Sequence, residues 1–221
     1  MSKRESDRER PREFTPEEWV PVTSVGRMVK EGQITTIEDL FQMGLPVKEP
    51  EIIDILLPQL QEEVIDINLV QKQTDAGEKS RFKACVIVGN EAGYVGIGEG
   101  KASEIGPAIR KAILRAKLDL IPVRRGCGSW ECNCQDPHSI PYKVHAKSGS
   151  IRIALVPAPK GVGLVTADTI KVVLRLAGVR DVWSHTRGRT RTTLNFAHSV
   201  FNALRNTHRV MTPADWTRRS E

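Results

Sequence analysis

The chain has 221 residues, 39% of them hydrophobic and only 5% aromatic, and its formal net charge is +6. No apolar run approaches the roughly 18 residues that a membrane-spanning helix needs, so we expect neither a membrane protein nor a membrane partner. Residues 1–80 carry 10 basic and 17 acidic side chains, whereas residues 81–221 carry 23 and 10. This uneven charge suggests a polyanionic partner for the later part of the chain.

The first quarter of the chain predicts a charged tail followed by short helices. Residues 1–13 contain almost nothing to bury, and we expect a solvated tail without the features of an export signal. Residues 14–62 form an extension in which proline interrupts short apolar pieces. Helix starts are expected at Thr15 and Thr36, and a further short helix over 51–57. We expect these pieces to have no independent core.

Residues 63–120 favour the order strand, strand, strand, helix. Alternating apolar and polar residues over 64–70 predict a strand with one wet face, and the segment 82–90 predicts its hairpin partner. A third strand is predicted over 94–97. It is followed by a helix that begins near Glu104 and has a basic outer face.

Glycine, cysteine and proline accumulate over residues 121–141, which predicts a junction between two domains. Residues 142–210 then predict a second small α+β domain, and residues 211–221 a C-terminal tail. The elements predicted in this domain are strands over 143–147 and 150–157, a loop over 157–163, a helix near 168–177, a strand near 181–185 and a helix near 195–206.

Three cysteines and one histidine lie close together in the junction. Cys127, Cys132, Cys134 and His138 form the pattern C-x4-C-x-C-x3-H, and four such ligands suit one tetrahedral structural zinc ion. The spacing departs from the usual C-x2-C knuckle, so unligated thiols in a loop are the alternative. The remaining cysteine, Cys85, lies in a predicted strand and is expected in the core.

The glycine-rich segment 93–101 lacks the spacing of the P-loop and of the Rossmann motif. We therefore expect no nucleotide cofactor, and a strand approached closely by another backbone is the simpler interpretation. Five scattered histidines offer no persuasive pairing of a nucleophile with a base. We expect that the protein is not an enzyme.

Basic clusters are the strongest functional signal, although a solvated charged face is their alternative interpretation. Arginine can bind phosphates bidentately, and clusters far apart in the chain favour an extended polyanion over a small substrate. Because aromatic residues are few, we expect recognition of RNA by shape and backbone. The predicted RNA-binding residues are Lys72, Lys79, Arg81, Lys83, Lys101, Arg110, Lys111, Arg115, Lys117, Arg124, Arg125, Lys147, Lys160, Arg187, Arg189 and Arg191.

Taken together, these pieces resemble the ribosomal protein S5 family. The resemblance rests on residues 80–117, on PVRRG at 122–126, on PAPKGVG at 157–163 and on LAGVRDVW at 176–183. The preceding EWVPVTSVGRMVKEGQI resembles the extension of archaeal and eukaryotic members, and GCGSWECNC is typical of archaeal ones. The implied fold is α+β, with a double-stranded-RNA-binding-like N-terminal domain followed by a small βαβα C-terminal domain.

The resemblance implies a structural protein of the cytoplasmic small ribosomal subunit. Such a protein binds rRNA between body and head near the entrance of the messenger RNA tunnel, beside ribosomal proteins S4 and S3, and supports decoding accuracy. The hairpin around 71–81 would be directed toward RNA near the decoding region, although it lacks the lysine- and glycine-rich pattern of bacterial members.

Two other classes of protein remain open at this point. A regulator that binds RNA away from the ribosome would share the charge pattern. A small-molecule phosphotransferase would share the glycine-rich loop and the βα order of the second domain, and specific nucleotide binding would distinguish it.

Overall fold

The computed structural model describes residues 19–134 and 136–210. The predicted tails 1–13 and 211–221 and the helix start at Thr15 lie outside these residues. The chain divides into two compact units, residues 1–58 and 59–221. Within the described residues, no helix is both long and apolar enough to cross a bilayer.

The described part of the first unit, from residue 19 onward, contains three short helices, two of them with side-chain caps. They are α1 (Ser24–Lys30), α2 (Ile37–Gln42) and α3 (Pro50–Leu56). The Thr23 side chain accepts the N–H of Gly26 at the start of α1. Thr36 and Asp39 form a reciprocal capping box at the start of α2, which confirms the helix start predicted at Thr36. The third helix begins with proline, whose fixed φ suits a first helical position.

Apolar side chains of the first unit form a core of their own. Its fully or nearly buried members are Val25, Val29, Ile34, Leu40 and Ile52. One carboxylate oxygen of Glu49 also accepts the N–H groups of Val22 and Thr23, at 3.0 and 2.6 Å. The expectation of no independent core is wrong, because the chain turns back between the helices and brings together apolar faces that are individually too short to predict a core.

The second unit begins with an antiparallel four-stranded sheet in the order β1-β2-β3-β4. Its strands are β1 (Gln61–Thr74), β2 (Gly77–Gly89), β3 (Tyr94–Ala102) and β4 (Leu120–Pro122). The long hairpin of β1 and β2 has one register shift, between Val64 and Asp66. β3 continues past its predicted end because it pairs with β2 as far as Phe82, which lies opposite Ala102.

Helix α4 (Ile105–Leu118) packs on this sheet through very small residues. Three glycines alternate along β3, and three buried alanines recur at every fourth position of α4. They are Gly96, Gly98, Gly100, Ala108, Ala112 and Ala116. A Cβ on any of these glycines would overlap a backbone carbonyl oxygen of α4. The close backbone approach predicted for the glycine-rich strand is confirmed.

A second four-stranded sheet has the order β5-β6-β8-β7, with β7 parallel to β8 and the other pairs antiparallel. The remaining elements are β5 (Val144–Ser148), β6 (Ile151–Pro157), β7 (Leu164–Val165), α5 (Asp168–Leu176), β8 (Val182–Arg187) and α6 (Thr193–Thr207). The two-residue β7 and the three-residue β4 were not predicted, because strands this short leave no alternating pattern.

The two sheets share one core with α5 and α6. Ile87 and Ile97 of the first sheet belong to the same buried cluster as Leu155 of the second. Leu174 and Leu204 contribute from the two helices. The α+β fold class is confirmed, and the two predicted domains are joined by continuous apolar packing.

The predicted junction also contributes to this core. Val123 and Ile140 are buried in the shared cluster, and Gly126 forms an isolated antiparallel bridge with Ser139. Cys85 is fully buried there as predicted, and burial raises the pKa of its thiol to about 12. A buried thiol of this kind behaves as a small apolar residue.

Candidate nucleic-acid interface and metal centre

The β1–β2 hairpin presents basic side chains on both strands. Lys72 lies directly opposite Lys79, and Arg81 is two residues further along the same face. All three side chains are exposed. Because like charges directly opposite each other on paired strands repel, an anion bound at this face would relieve the repulsion.

Two predicted RNA-binding residues, Lys83 and Arg115, instead contact Glu99, together with His198. Lys83 Nζ lies 2.6 Å from Glu99 Oε2, and His198 Nε2 lies 3.0 Å from Glu99 Oε1. Arg115 donates to the backbone oxygen of Glu99 at 2.7 Å. Partial burial raises the pKa of Glu99, but the interactions with Lys83 and His198 outweigh it and leave the pKa below its ordinary value. Lys101, opposite Lys83 on the neighbouring strand, is exposed.

Some basic side chains of α4 are exposed, and others contact groups within the protein. Arg110 and Lys111 are exposed on its outer face. Lys117 is only 13% exposed, and its Nζ lies 3.6 Å from Glu62 Oε1. The helix therefore offers two exposed cations near its middle, while the other two, Arg115 and Lys117, contact Glu99 of β3 and Glu62 of β1.

The two arginines after β4 bind backbone carbonyl groups. The Arg124 guanidinium donates to the oxygen of Val210 at 2.7 Å, and its main-chain N–H donates to Thr207 Oγ1. Arg125 donates to the oxygen of Ala92 at 2.7 Å, and partial burial lowers its pKa. These hydrogen bonds connect segments that are distant in the chain, as structural contacts do.

The outer face of the second sheet carries a row of basic residues. Lys147 of β5 lies opposite Arg152 of β6, which lies opposite Arg187 of β8. All three are exposed, and adjacent strands lie about 4.8 Å apart, so the row places three cations side by side. Exposed His145 and His185 occupy the next row of the same face.

Arg152 was missed by the sequence prediction, although the sequence contained a signal for it. The residues on either side, Ile151 and Ile153, are buried, and the alternation along this strand places Arg152 on the outer face. Strand pairing was the missing information, because only the register brings Arg152 between two basic neighbours.

The remaining predicted residues lie in loops. Arg189 and Arg191 are exposed in the segment that leads from β8 to α6. Lys160 is also exposed, and its Nζ lies 2.6 Å from Asp136 Oδ2. An ion pair this exposed contributes little to stability.

The four predicted metal ligands come together in the structure. One ligand atom from each of Cys127, Cys132, Cys134 and His138 lies within 4.8 Å of the others. Cys132 Sγ is 3.2 Å from Cys134 Sγ and 3.8 Å from His138 Nε2. A tetrahedral zinc ion with bonds of about 2.0–2.3 Å requires ligand separations of about 3.5–3.8 Å. The four ligand residues therefore fit a closed Cys3His site. The C-x-C spacing does not prevent the sulfur atoms of Cys132 and Cys134 from approaching each other.

The surroundings of this cluster favour thiolate formation at one of its cysteines. The pKa of Cys132 is lowered to about 6, first by a backbone hydrogen bond from Lys160 and then by the Cys134 thiol. The same contact with Cys132 raises the pKa of Cys134 to about 11. Metals bind the thiolate form of cysteine, which the lowered pKa of Cys132 favours.

Comparison with known proteins decides the family. The N-terminal domain of ribosomal protein S5 matches residues 60–124, and its C-terminal domain matches residues 146–218. The chain belongs to the ribosomal protein S5 family. The two matches coincide with the two sheets and their helices, and they leave most of the cysteine-containing segment between them.

Curated S5 relatives are similar over almost their whole length. The small ribosomal subunit protein uS5 of Pyrobaculum arsenaticum is 63% identical over 190 residues, which cover 86% of this chain and 94% of the relative. The protein of the same name from Staphylothermus marinus is 58% identical over 200 residues, 90% and 94% of the two chains. The protein of the same name from Hyperthermus butylicus is 57% identical over 203 residues, which cover 91% of this chain and 95% of the relative.

Membership in the S5 family confirms the predicted resemblance, including its archaeal type. The family is structural, so the expectation that the protein is not an enzyme is confirmed, and the phosphotransferase alternative is set aside. S5 proteins are constituents of the small ribosomal subunit in the cytoplasm, which also confirms the expected location.

Proposed function

We propose that this S5 protein binds small-subunit rRNA between the body and the head, near the entrance of the messenger RNA tunnel, and supports the accuracy of decoding. The relatives named small ribosomal subunit protein uS5 support the assignment to the subunit. The proposed neighbours are ribosomal proteins S4 and S3, with messenger RNA nearby.

The observation that carries RNA binding is the row of Lys147, Arg152 and Arg187. Three strands hold these cations in register on one exposed face, and no partner for them is found within residues 19–134 and 136–210. Basic side chains that neutralise phosphates release condensed counterions, which favours binding. A chain with only 5% aromatic residues is suited to backbone contacts that fix position, with little reading of base sequence.

We propose a second contact at the hairpin. The face formed by Lys72, Lys79 and Arg81 lies on a two-stranded extension whose residues are exposed on both strands. We further propose RNA contacts for the other exposed members of the predicted set. They are Lys101, Arg110, Lys111, Lys160, Arg189 and Arg191. Lys83, Arg115, Lys117, Arg124 and Arg125 would reach RNA only in addition to the contacts they make within the protein.

We propose the domain limits that the sequence predicts. A double-stranded-RNA-binding-like domain over 63–120 and a C-terminal domain over 142–210 would be linked by the junction 121–141. The shared core supports rigid attachment of the two domains to each other.

We also propose that Cys127, Cys132, Cys134 and His138 bind one structural zinc ion. The close approach of all four ligand atoms supports this proposal. Metal analysis of the full chain, purified without chelators, should find about one zinc per chain. Replacement of Cys127 by Ser should abolish it, whereas replacement of the buried Cys85 by Ala should not. Less than about a tenth of an equivalent would contradict the proposal.

The experiment that tests the RNA-binding function is sedimentation of a cell extract with crosslink mapping in the same fractions. We expect stoichiometric amounts of the chain in small subunits, with ultraviolet crosslinks to rRNA from peptides of β5, β6 and β8. A position at the top of the gradient without RNA would contradict the proposal. Subunit association with crosslinks confined to the hairpin would contradict the assignment of the sheet face.

A further inference from the structure

A buried aspartate connects the candidate metal centre to a neighbouring loop. Asp181 lies just before β8, and its Oδ2 is 2.8 Å from Nδ1 of the buried His138. Its other oxygen, Oδ1, accepts the N–H groups of Gly161 and Gly163 at 3.1 and 2.8 Å. A single carboxylate therefore touches both a candidate ligand and the Lys160 loop, which we define as residues 157–163.

We propose that Asp181 is a positioning residue through which metal binding orders the Lys160 loop. This inference rests on the proposed zinc site. Metal-bound histidines usually donate their other ring nitrogen to a carboxylate or carbonyl, which fixes the orientation of the ring. His138 has this arrangement, because its Nε2 faces the sulfur of Cys132 and its Nδ1 faces Asp181.

The main chain strengthens the connection between these segments. The N–H groups of Arg180 and Asp181 both donate to the backbone oxygen of His138, at 2.8 and 3.1 Å. Ser139 Oγ donates to the backbone oxygen of Asp181 and accepts the N–H of Ala158, at the start of the Lys160 loop. These hydrogen bonds hold the histidine and the aspartate next to each other and connect both to the loop.

The glycines of the Lys160 loop are explained by the same carboxylate. Gly161 and Gly163 have φ values of 94° and 75°, a conformation that favours glycine. A Cβ at either position would meet nothing within 4 Å, so lack of space does not require glycine there. The positive φ values instead turn two N–H groups toward one oxygen of Asp181, which the buried carboxylate needs as hydrogen-bond donors.

The loop has a second attachment to the metal-binding segment. Lys160 Nζ lies 2.6 Å from Asp136 Oδ2, two residues before His138. At its end, the loop is also held by β8, because the Val182 N–H donates to the oxygen of Gly163. We therefore expect metal removal to loosen Gly161 and Lys160 more than Gly163. Metal binding would thus determine how Lys160 is presented to RNA.

Hydrogen exchange of the full 221-residue protein tests this coupling. We expect the amide of Gly161 to exchange slowly with zinc bound, to lose this protection after zinc is removed by a chelator, and to regain it on reloading. Amides of the β2–β3 ladder serve as the internal control and should not change. If zinc binds but the Gly161 amide is unaffected, the coupling is wrong and the zinc site stands. If zinc does not bind, both proposals are wrong.

Two aspartate variants test the role of Asp181 itself. In Asp181→Asn the side chain keeps one acceptor and loses its charge, so affinity for Zn²⁺ should fall about 10- to 100-fold, the usual effect of changing a group that supports a ligand. Asp168→Asn removes an exposed carboxylate whose partner is Lys171 and should leave the affinity unchanged. Competition with a coloured chelator measures both, and equal affinities would overturn the proposal. Should Asp181→Asn fail to fold, the exchange experiment on the unaltered protein decides alone.

Discussion

Two regions of this S5 protein are rich in basic side chains but use them differently. Around Glu99, the side chains of Lys83 and His198 contact one carboxylate, and Arg115 donates to the backbone of the same residue. On the outer face of the second sheet, basic residues line up across three strands with no acidic residue between them. The first arrangement pairs its cations within the protein, whereas the second leaves its charge available to a phosphate backbone.

The exposure and the contacts of a basic residue therefore decide whether its charge indicates RNA binding. The row of Lys147, Arg152 and Arg187 would be costly to assemble for stability alone, because like charges on adjacent strands repel. The RNA partner that we propose would offset this repulsion. Substitutions in the two regions should therefore affect different measured quantities.

The largest expected effect follows from removing the whole row. Replacement of Lys147, Arg152 and Arg187 by Ala should reduce the salt dependence of RNA binding by about three units of slope, one for each lost phosphate contact. The free energy of unfolding should stay within about 0.5 kcal/mol of the unaltered protein, as is usual for exposed positions. Binding titrations over a range of salt concentrations and urea unfolding measure the two quantities.

The control for the row is Lys171→Ala, which removes an equally basic side chain whose partner is Asp168. Its salt slope should not change. A triple variant with an unchanged salt slope would show that the sheet face does not contact RNA. The exposure of its basic row would then not distinguish it in function from the Glu99 region.

The next largest effect concerns the packing that supports the Glu99 region. Gly98→Ala would place a Cβ against the backbone of α4 at Ala112 and Ala116, and we expect a loss of about 3 kcal/mol in the free energy of unfolding. Gly106→Ala is the matched control, because its Cβ would meet only the end of the Arg110 side chain at 3.9 Å. The control should be neutral or slightly stabilising. Equal stability of the two variants would contradict the close approach of β3 and α4.

The same glycines show what the sequence could predict. Alternating apolar and polar residues predicted the main strands, and apolar residues on one helical face predicted the helix that packs on the first sheet. The wrong spacing for phosphate binding correctly left close packing as the explanation for the glycines of β3. The core of the first unit was not predicted, because its apolar residues come from three helices of six or seven residues and from Ile34 in the loop between the first two. Contacts between short elements leave no periodic signal.

The residues of the functional sites were also only partly predictable from the sequence. The four metal ligands were recognisable because cysteine and histidine are close together in the chain. Asp181 was not, since it lies 43 residues after His138 and only folding brings them together. Arg125 was assigned to RNA on its charge alone, and the carbonyl oxygen of Ala92 to which it donates could be identified only from the structure.

A smaller effect tests that assignment of Arg125. Replacement by Ala should lower the free energy of unfolding by about 0.5–1 kcal/mol, because it removes a charged hydrogen-bond donor from the exposed carbonyl oxygen of Ala92, which water can then solvate. Arg175→Ala, at an exposed position of α5, is the control and should have little effect. A fall of about one unit in the salt slope with unchanged stability would instead assign Arg125 to RNA binding.

The smallest expected effect is the pH dependence of the Glu99 region. Because the pKa of Glu99 is lowered in the folded protein, its ionised form stabilises the fold above the ordinary glutamate pKa, and this contribution disappears as the pH falls through the lowered value. Glu99→Gln should therefore be less stable than the unaltered protein near neutral pH, with the difference shrinking as the pH falls below the glutamate range.

Chemical unfolding at a series of pH values measures this difference. Glu104→Gln is the control, because Glu104 stands at the start of α4 without a side-chain hydrogen bond to the helix. Its difference from the unaltered protein should be small at every pH. If Glu99→Gln behaves like this control, the carboxylate contributes nothing through Lys83 and His198, and these cations are as available to RNA as those of the second sheet.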